Sequence, residues 1–186
     1  MKNKILAIAL AAAGLTGLSA AHAADTNGFF INGNIGQSNL DKNGFDDNDT
    51  AFAGNVGYRW AVAPSVLLGV EGGYTDLGKF DAKRSLGAGK AELKGWNLGV
   101  DGHFNVANNW YISGRGGFFR GDRTVSFAND LGRFDDTKNG WYAGAGFGYD
   151  FNTNVSLGLN YDYYKVDKNG FDISPSMVSV SGEYRF

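Results

Sequence analysis

Val178-Ser179-Val180-Ser181-Gly182-Glu183-Tyr184-Arg185-Phe186 ends the sequence, and its alternation decides the fold. Val178, Val180, Tyr184 and Phe186 share one parity; Ser179, Ser181, Glu183 and Arg185 share the other. Successive side chains of a strand point to opposite faces, so one face here is apolar and the other carries charge. The same pattern recurs upstream. Strands are predicted over residues 29–38, 51–60, 66–76, 93–104, 110–121, 141–151, 155–164 and 176–186.

Every segment sorts its residues in the same sense. In the sixth, Trp141, Ala143, Ala145, Phe147, Tyr149 and Phe151 oppose Gly144, Gly146, Gly148 and Asp150. In the fourth, Trp96, Leu98, Val100 and Phe104 oppose Asn97, Asp101 and His103. Residues 61–65, 105–109 and 152–154 form short connections; 40–50, 77–92, 122–140 and 165–175 are long and polar. Eight such segments with alternating connection lengths are the signature of an outer-membrane barrel, apolar outside and polar within. The predicted fold is all-β: an eight-stranded antiparallel up-and-down transmembrane β-barrel with periplasmic termini and four long extracellular loops. Ten residues at about 3.3 Å each, tilted about 40°, rise roughly 25 Å, the height of the apolar band.

Aromatic residues give an independent check. Phe29, Trp60, Phe104, Trp110, Phe151 and Phe186 have outward parity at the predicted periplasmic ends. Phe52, Tyr74, Trp96, Phe118, Trp141 and Tyr163 have it toward the loop ends. Two such girdles suit the two interfaces of a bilayer. A lipocalin-like soluble carrier would need the inverse parity, with an apolar lumen.

Residues 1–23 read as a cleaved signal peptide: Lys2 and Lys4, an apolar run from Ile5 to Leu18, then Ala21-His22-Ala23. The barrel domain is then 24–186. No later run reaches the length of a membrane-spanning helix. Without Lys2 and Lys4 the 17 basic side chains fall to 15 against 19 acidic, a formal −4 that argues against nucleic acid as a partner. There is no cysteine, so neither disulfides nor thiolate metal sites are available. Glycine is abundant at 29 and proline scarce at 2, which suits strands in a narrow barrel.

The inward parity collects Arg59, Glu71, Asp101, His103, Arg115, Asp150, Asp162, Glu183 and Arg185. An eight-stranded interior is just wide enough for side chains to fill. These charges are expected to pair as a polar plug, with a gated ion path as the competing reading. Lys94, Arg120 and Lys165 have outward parity at the extracellular rim, where lipopolysaccharide phosphates lie. They either contact those phosphates or snorkel to water. Asp41-Lys42-Asn43-Gly44-Phe45-Asp46 recurs as Asp167-Lys168-Asn169-Gly170-Phe171-Asp172, in loops that barrel closure makes neighbours. Asn-Gly is a turn former, and Phe45 and Phe171 are candidate loop-tip recognition residues. Asp41, Asp46, Asp47 and Asp49 lack the spacing of an EF-hand, and no metal or cofactor is expected.

The final strand, ending in Tyr184 and Phe186, resembles the last strand of outer-membrane barrels. The runs from Gly144 to Tyr149, Val155 to Tyr164 and Val178 to Phe186 are similar to the end of the OmpA-type transmembrane domain. In length the chain looks more like the small OmpX and Ail group. The resemblance implies that Tyr184 and Phe186 form the signal read by the barrel-assembly machinery, with periplasmic chaperones as transient partners. No peptidoglycan-binding domain is expected after Phe186. Barrels of this kind include lipid A hydrolases and acyltransferases, whose catalytic groups sit at the outer rim. His103, the sole histidine after residue 23, has inward parity near the periplasmic end, so no catalytic residue and no enzyme activity is expected. The expected protein is a monomer with outer-membrane lipid and lipopolysaccharide as partners and a structural envelope role. Surface adhesion to host molecules is the first alternative and a narrow ion channel the second.

Overall fold

The computed structural model describes residues 27–42, 45–81, 89–127, 133–166 and 174–186. The proposed signal peptide lies outside them. Eight strands follow in order: β1 Gly28–Lys42, β2 Phe45–Ala63, β3 Val66–Asp81, β4 Gly89–Ala107, β5 Trp110–Phe127, β6 Arg133–Asp150, β7 Val155–Val166 and β8 Ser176–Arg185. Each pairs antiparallel with its sequence neighbour, and β1 pairs with β8 to close the barrel. The closing register sets Ile35 opposite Val180 and Asn32 opposite Glu183. Closure supplies a partner strand on both sides of every strand in the apolar zone, as a bilayer without water demands.

The parity of the sequence is the parity of the barrel. Phe118 is 79 % exposed and Leu98 66 %, while Asp150 and Asp162 are 0 % exposed. Exposed aromatics meet across strands at both rims. Tyr74 faces Trp96 in the β3–β4 register with ring centroids 5.1 Å apart, and Trp110 of β5 stacks on Phe147 of β6 at 4.9 Å.

The strands are longer than the alternation implied. The loops expected at 40–50, 77–92, 122–140 and 165–175 are partly strand, most of all on β3 to β6. β5 continues from Arg120 to Phe127, and β6 begins at Arg133, paired with Ser126. Above the apolar band no lipid selects apolar residues, yet backbone N–H and C=O groups still pair. The ladder therefore outlasts the pattern that revealed it. In the first repeated hexapeptide, Lys42 pairs with Phe45 and Asp41 with Asp46, leaving only residues 43–44 as the connection. Phe45 is thus the first residue of β2, directly after that connection. Its side chain, the second hexapeptide and Phe171 lie outside the described residues.

The connections at the opposite end are tight. Pro64–Ser65 joins β2 to β3, and Asn108–Asn109 joins β4 to β5. Ser65, Asn108 and Asn109 have positive φ. Asparagine tolerates that region and serine does so at a cost. Ser65 uses its backbone, its carbonyl accepting the Asn105 amide at 2.8 Å. Ser65→Gly keeps that bond and relieves the side-chain clash. It is expected to raise unfolding free energy by about 0.5–1 kcal/mol, read from the urea midpoint in micelles. A lower midpoint would show that the hydroxyl matters more than φ. Gly78 (φ +85°) sits at the irregularity between Asp76 and Lys79, where an L side chain would be strained.

Candidate functional site: the sealed lumen

The inward residues form two stacked layers. The periplasmic half is charged. Arg59 donates Nε to Asp101 Oδ2 at 2.5 Å and Nη1 and Nη2 to the two Glu183 oxygens at 2.5 and 3.0 Å. Its guanidinium also lies 4.0 Å from the Phe30 ring centroid. Arg185 donates Nε to Glu183 Oε1 at 3.0 Å and Nη2 to Asp150 Oδ1 at 2.5 Å. β8 thus delivers Glu183 and Arg185 two residues apart on one face, with β2, β4 and β6 bringing Arg59, Asp101 and Asp150 to meet them. Midway up, Arg115 forks onto Asp162, with bonds of 2.7 and 2.6 Å. Glu71 accepts the Tyr142 hydroxyl at 2.7 Å.

All nine lumen candidates are therefore inside, eight below a tenth exposed and Arg115 slightly more open. They form a periplasmic network of Arg59, Asp101, Glu183, Arg185, Asp150 and His103, plus the separate Arg115–Asp162 fork and Glu71–Tyr142 bond. Such bidentate, charge-assisted pairing is what keeps ions tolerable away from water.

His103 is fully buried. Its Nε2 lies 3.1 Å from both Asp150 Oδ2 and Asn105 Oδ1, and its ring stacks on Tyr111 at 4.1 Å. Two facing acceptors assign the proton to Nε2. Ser156 donates to Asp150 Oδ1 and not to the imidazole, so the order is serine, aspartate, histidine. A nucleophilic triad needs histidine in the middle to take the hydroxyl proton.

The extracellular half is apolar and aromatic, a layer absent from the expected polar plug. Ala51, Leu77, Leu93, Phe119, Tyr142, Tyr164 and Met177 form one buried cluster. Phe119 meets Tyr164 edge-on at 5.1 Å, and Tyr142 stacks on Tyr164 at 6.0 Å. These residues share the inward parity of the charged ones, which was the available signal. They were hidden because apolar letters in a membrane barrel read first as lipid-facing. Glycines make room for the rings. A Cβ on Gly95 would come within 2.6 Å of the Phe119 ring.

The cavity left between the charged groups is about 30 Å³, bordered by Arg59, Glu71, Asp101, Arg115 and Glu183 among others. That is room for about one water. On the outer face, Lys94 sits 3.4 Å from Asp76, Arg120 is exposed opposite Trp96, and Lys165 pairs with Trp141 in the register. All three occupy the extracellular rim, with Lys94 and Arg120 on adjacent strands.

Solved structures share this architecture. Ail, the attachment invasion locus protein of Yersinia pestis, aligns with TM-score 0.60 and 17 % identity, covering 86 % of this chain and 97 % of Ail. Neisserial surface protein A aligns with TM-score 0.57 and 13 % identity, covering 87 % and 99 %. OprG of Pseudomonas aeruginosa aligns with TM-score 0.54 and 14 % identity, covering 86 % and 96 %. At these identities the likeness shows the fold. No curated protein sequence matches the chain. The family model for the outer membrane protein beta-barrel domain matches residues 8–186, and the chain belongs to that family, with the Gram-negative outer membrane as its place.

Proposed function

We propose that this barrel is a sealed, non-catalytic, monomeric element of the outer membrane, structural in its work and presenting extracellular strands to the surroundings. The observation that carries the reading is the filled lumen: a paired ionic layer below an aromatic layer, with a cavity of about 30 Å³ between charged groups. An eight-stranded barrel packed in this way favours a plug over a pore. Closure leaves no unpaired strand within the apolar zone, which supports the monomer. The Ser156–Asp150–His103 order supports the absence of catalysis.

Surface recognition is the second reading, favoured by the extension of β3 to β6 past the aromatic rim. From Arg120 to Phe127 the sheet rises roughly 15–20 Å further. Among the described residues, β6 pairs with β7 only from Gly140 onward, so its 133–139 portion is paired on the β5 side alone. Edge backbone of that kind suits strand addition by an extended segment of a host surface molecule. Lys94, Arg120 and Lys165 suit lipopolysaccharide phosphates. Tyr184 and Phe186, outward at the periplasmic rim, suit reading by the assembly machinery after delivery by periplasmic chaperones.

One complementation experiment separates these readings. A deletion strain is tested for detergent sensitivity and for adherence, then supplied with three forms of the barrel. The structural reading expects a form with 43–44, 82–88, 128–132 and 167–173 replaced by short turns to restore detergent resistance fully. Restoration of adherence only by the intact form would make recognition the principal role. Lys94→Gln with Arg120→Gln and Lys165→Gln is expected to restore resistance only in part; full restoration would end the lipopolysaccharide assignment.

A further inference from the structure

The three periplasmic connections carry no Asp, Glu, Lys or Arg: residues 61–65, 105–109 and 151–154 are apolar, amide or hydroxyl throughout. The long connections at the other end are rich in charge. Two of the three short connections share one construction. On β2, Ala61 pairs with Leu67 and Ala63 with Val66, so Val62 is the extra residue of a bulge against β3. On β4, Asn105 pairs with Tyr111 and Ala107 with Trp110, so Val106 is the extra residue against β5. Each bulge valine stands two positions beyond an outward aromatic, Trp60 or Phe104, and is followed by a turn containing positive φ. A bulge at a barrel rim re-aims a side chain.

Val62 is 55 % exposed and Val106 54 %. Ala61, Ala63, Pro64 and Ala107 beside them are exposed as well. Together they continue the apolar belt past Trp60 and Trp110, which are themselves exposed. Two residues at about 3.3 Å each, tilted about 40°, add roughly 5 Å along the barrel axis. The headgroup layer on each side of the hydrocarbon core is about 5–7 Å deep. From an aromatic at the lipid interface, a valine two positions on therefore still lies within that layer. The third connection is built otherwise. Asn152 is buried and its Oδ1 accepts the amides of Asn154 and Val155, and the Thr153 hydroxyl donates to Asn154.

We propose that the β2–β3 and β4–β5 hairpins dock on the phospholipid of the periplasmic leaflet, with Val62 and Val106 inserted among the headgroups as anchors. Continuity with the lipid-facing belt selects this occupant over a periplasmic protein. The missing charge fits it too, since an apolar side chain gains free energy on leaving water and a charged one loses it. The anchors fix the height of the barrel. Displacement toward the periplasm would return both valines to water and draw Lys94 and Asp76, at the opposite rim, toward the hydrocarbon. The neutral turns set no such limit in the other direction.

The chain has no cysteine, so a single nitroxide label can be placed at any chosen position. Val62→Cys, Val106→Cys and Thr153→Cys are each labelled and reconstituted in nanodiscs of phosphatidylethanolamine and phosphatidylglycerol. Power-saturation spectroscopy compares collisions with oxygen, which partitions into lipid, and with a nickel chelate, which stays in water. The oxygen-to-nickel ratio is expected to be at least threefold higher at 62 and at 106 than at 153. Equal ratios at the three sites would overturn the proposal. So would exclusion of nickel from 62 and 106 in isolated cell envelopes but not in nanodiscs, which would assign the valines to a protein partner. A second measurement needs no label. Val62→Asp with Val106→Asp is expected to raise the unfolding equilibrium constant in urea about fivefold over Val62→Leu with Val106→Leu. Two folded pairs of equal stability would also overturn the proposal. If the aspartate pair does not fold, the labelled barrels decide alone.

Discussion

Arg59→Met is expected to lower the unfolding free energy of the barrel by roughly 3–5 kcal/mol, the range for removing one partner of a buried ionic network. Urea unfolding in micelles, followed by the mobility difference between folded and heated protein, would measure it. Arg59 answers three carboxylate oxygens from two strands, Asp101 on β4 and Glu183 on β8. Without it, Asp101 loses its one hydrogen-bonded cation and Glu183 keeps only Arg185. The loss of the Phe30 contact adds to this, since methionine fills the space but carries no charge. Adding Asp101→Asn and Glu183→Gln to Arg59→Met is expected to recover at least half of the loss, because the uncompensated charges go with the arginine. A single-variant effect below about 1 kcal/mol would mean that the network is solvated like a surface pair.

Phe119→Ala combined with Tyr164→Ala is expected to turn a silent barrel into a conducting one. Single-channel recording in planar bilayers should give no steps for the unaltered protein and resolved steps for the double variant. The two rings meet edge to face and carry the apolar layer with Tyr142 and Met177. Below them the wall is already polar, so the aromatic layer is the barrier with no polar path through it. The new path should prefer cations. Glu71, Asp101, Asp150, Asp162 and Glu183 outnumber Arg59, Arg115 and Arg185 along it. Folding of the variant is checked first by its gel mobility, since two aromatic truncations cost several kcal/mol. A folded double variant that stays silent would place the seal in the ionic layer. Steps from the unaltered protein would restore the channel reading.

Much of this molecule is legible in one dimension. Val178, Val180 and Tyr184 against Ser179, Ser181 and Glu183 gave the inside and the outside of β8, and their burial follows that order. Residues at the aromatic rims, such as Trp96 and Phe118, were placed by parity and depth together. Strand ends were less legible. β4 begins at Gly89 and β6 at Arg133, well before the alternation becomes apolar. Lipid writes the pattern only where lipid is. The hexapeptide at 41–46 reads as a loop because it is polar, yet its register is that of a hairpin.

Sequence alone determined the topology class, since alternation of period two fixes the face of every residue and alternating connection lengths fix which end is which. It also determined which charged groups enter the lumen. Only the tertiary structure decided how they pair. Arg59 and Glu183 are separated by 124 positions and Arg185 and Asp150 by 35, and no local spacing encodes those meetings. Barrel closure and the stagger of its registers bring them to one height. The same stagger gathers Phe119, Tyr142, Tyr164 and Met177 into a seal, although each alone is an apolar letter among many. Parity selects a face, and depth along a closed sheet selects a neighbour. The second quantity exists only once all eight strands are in place.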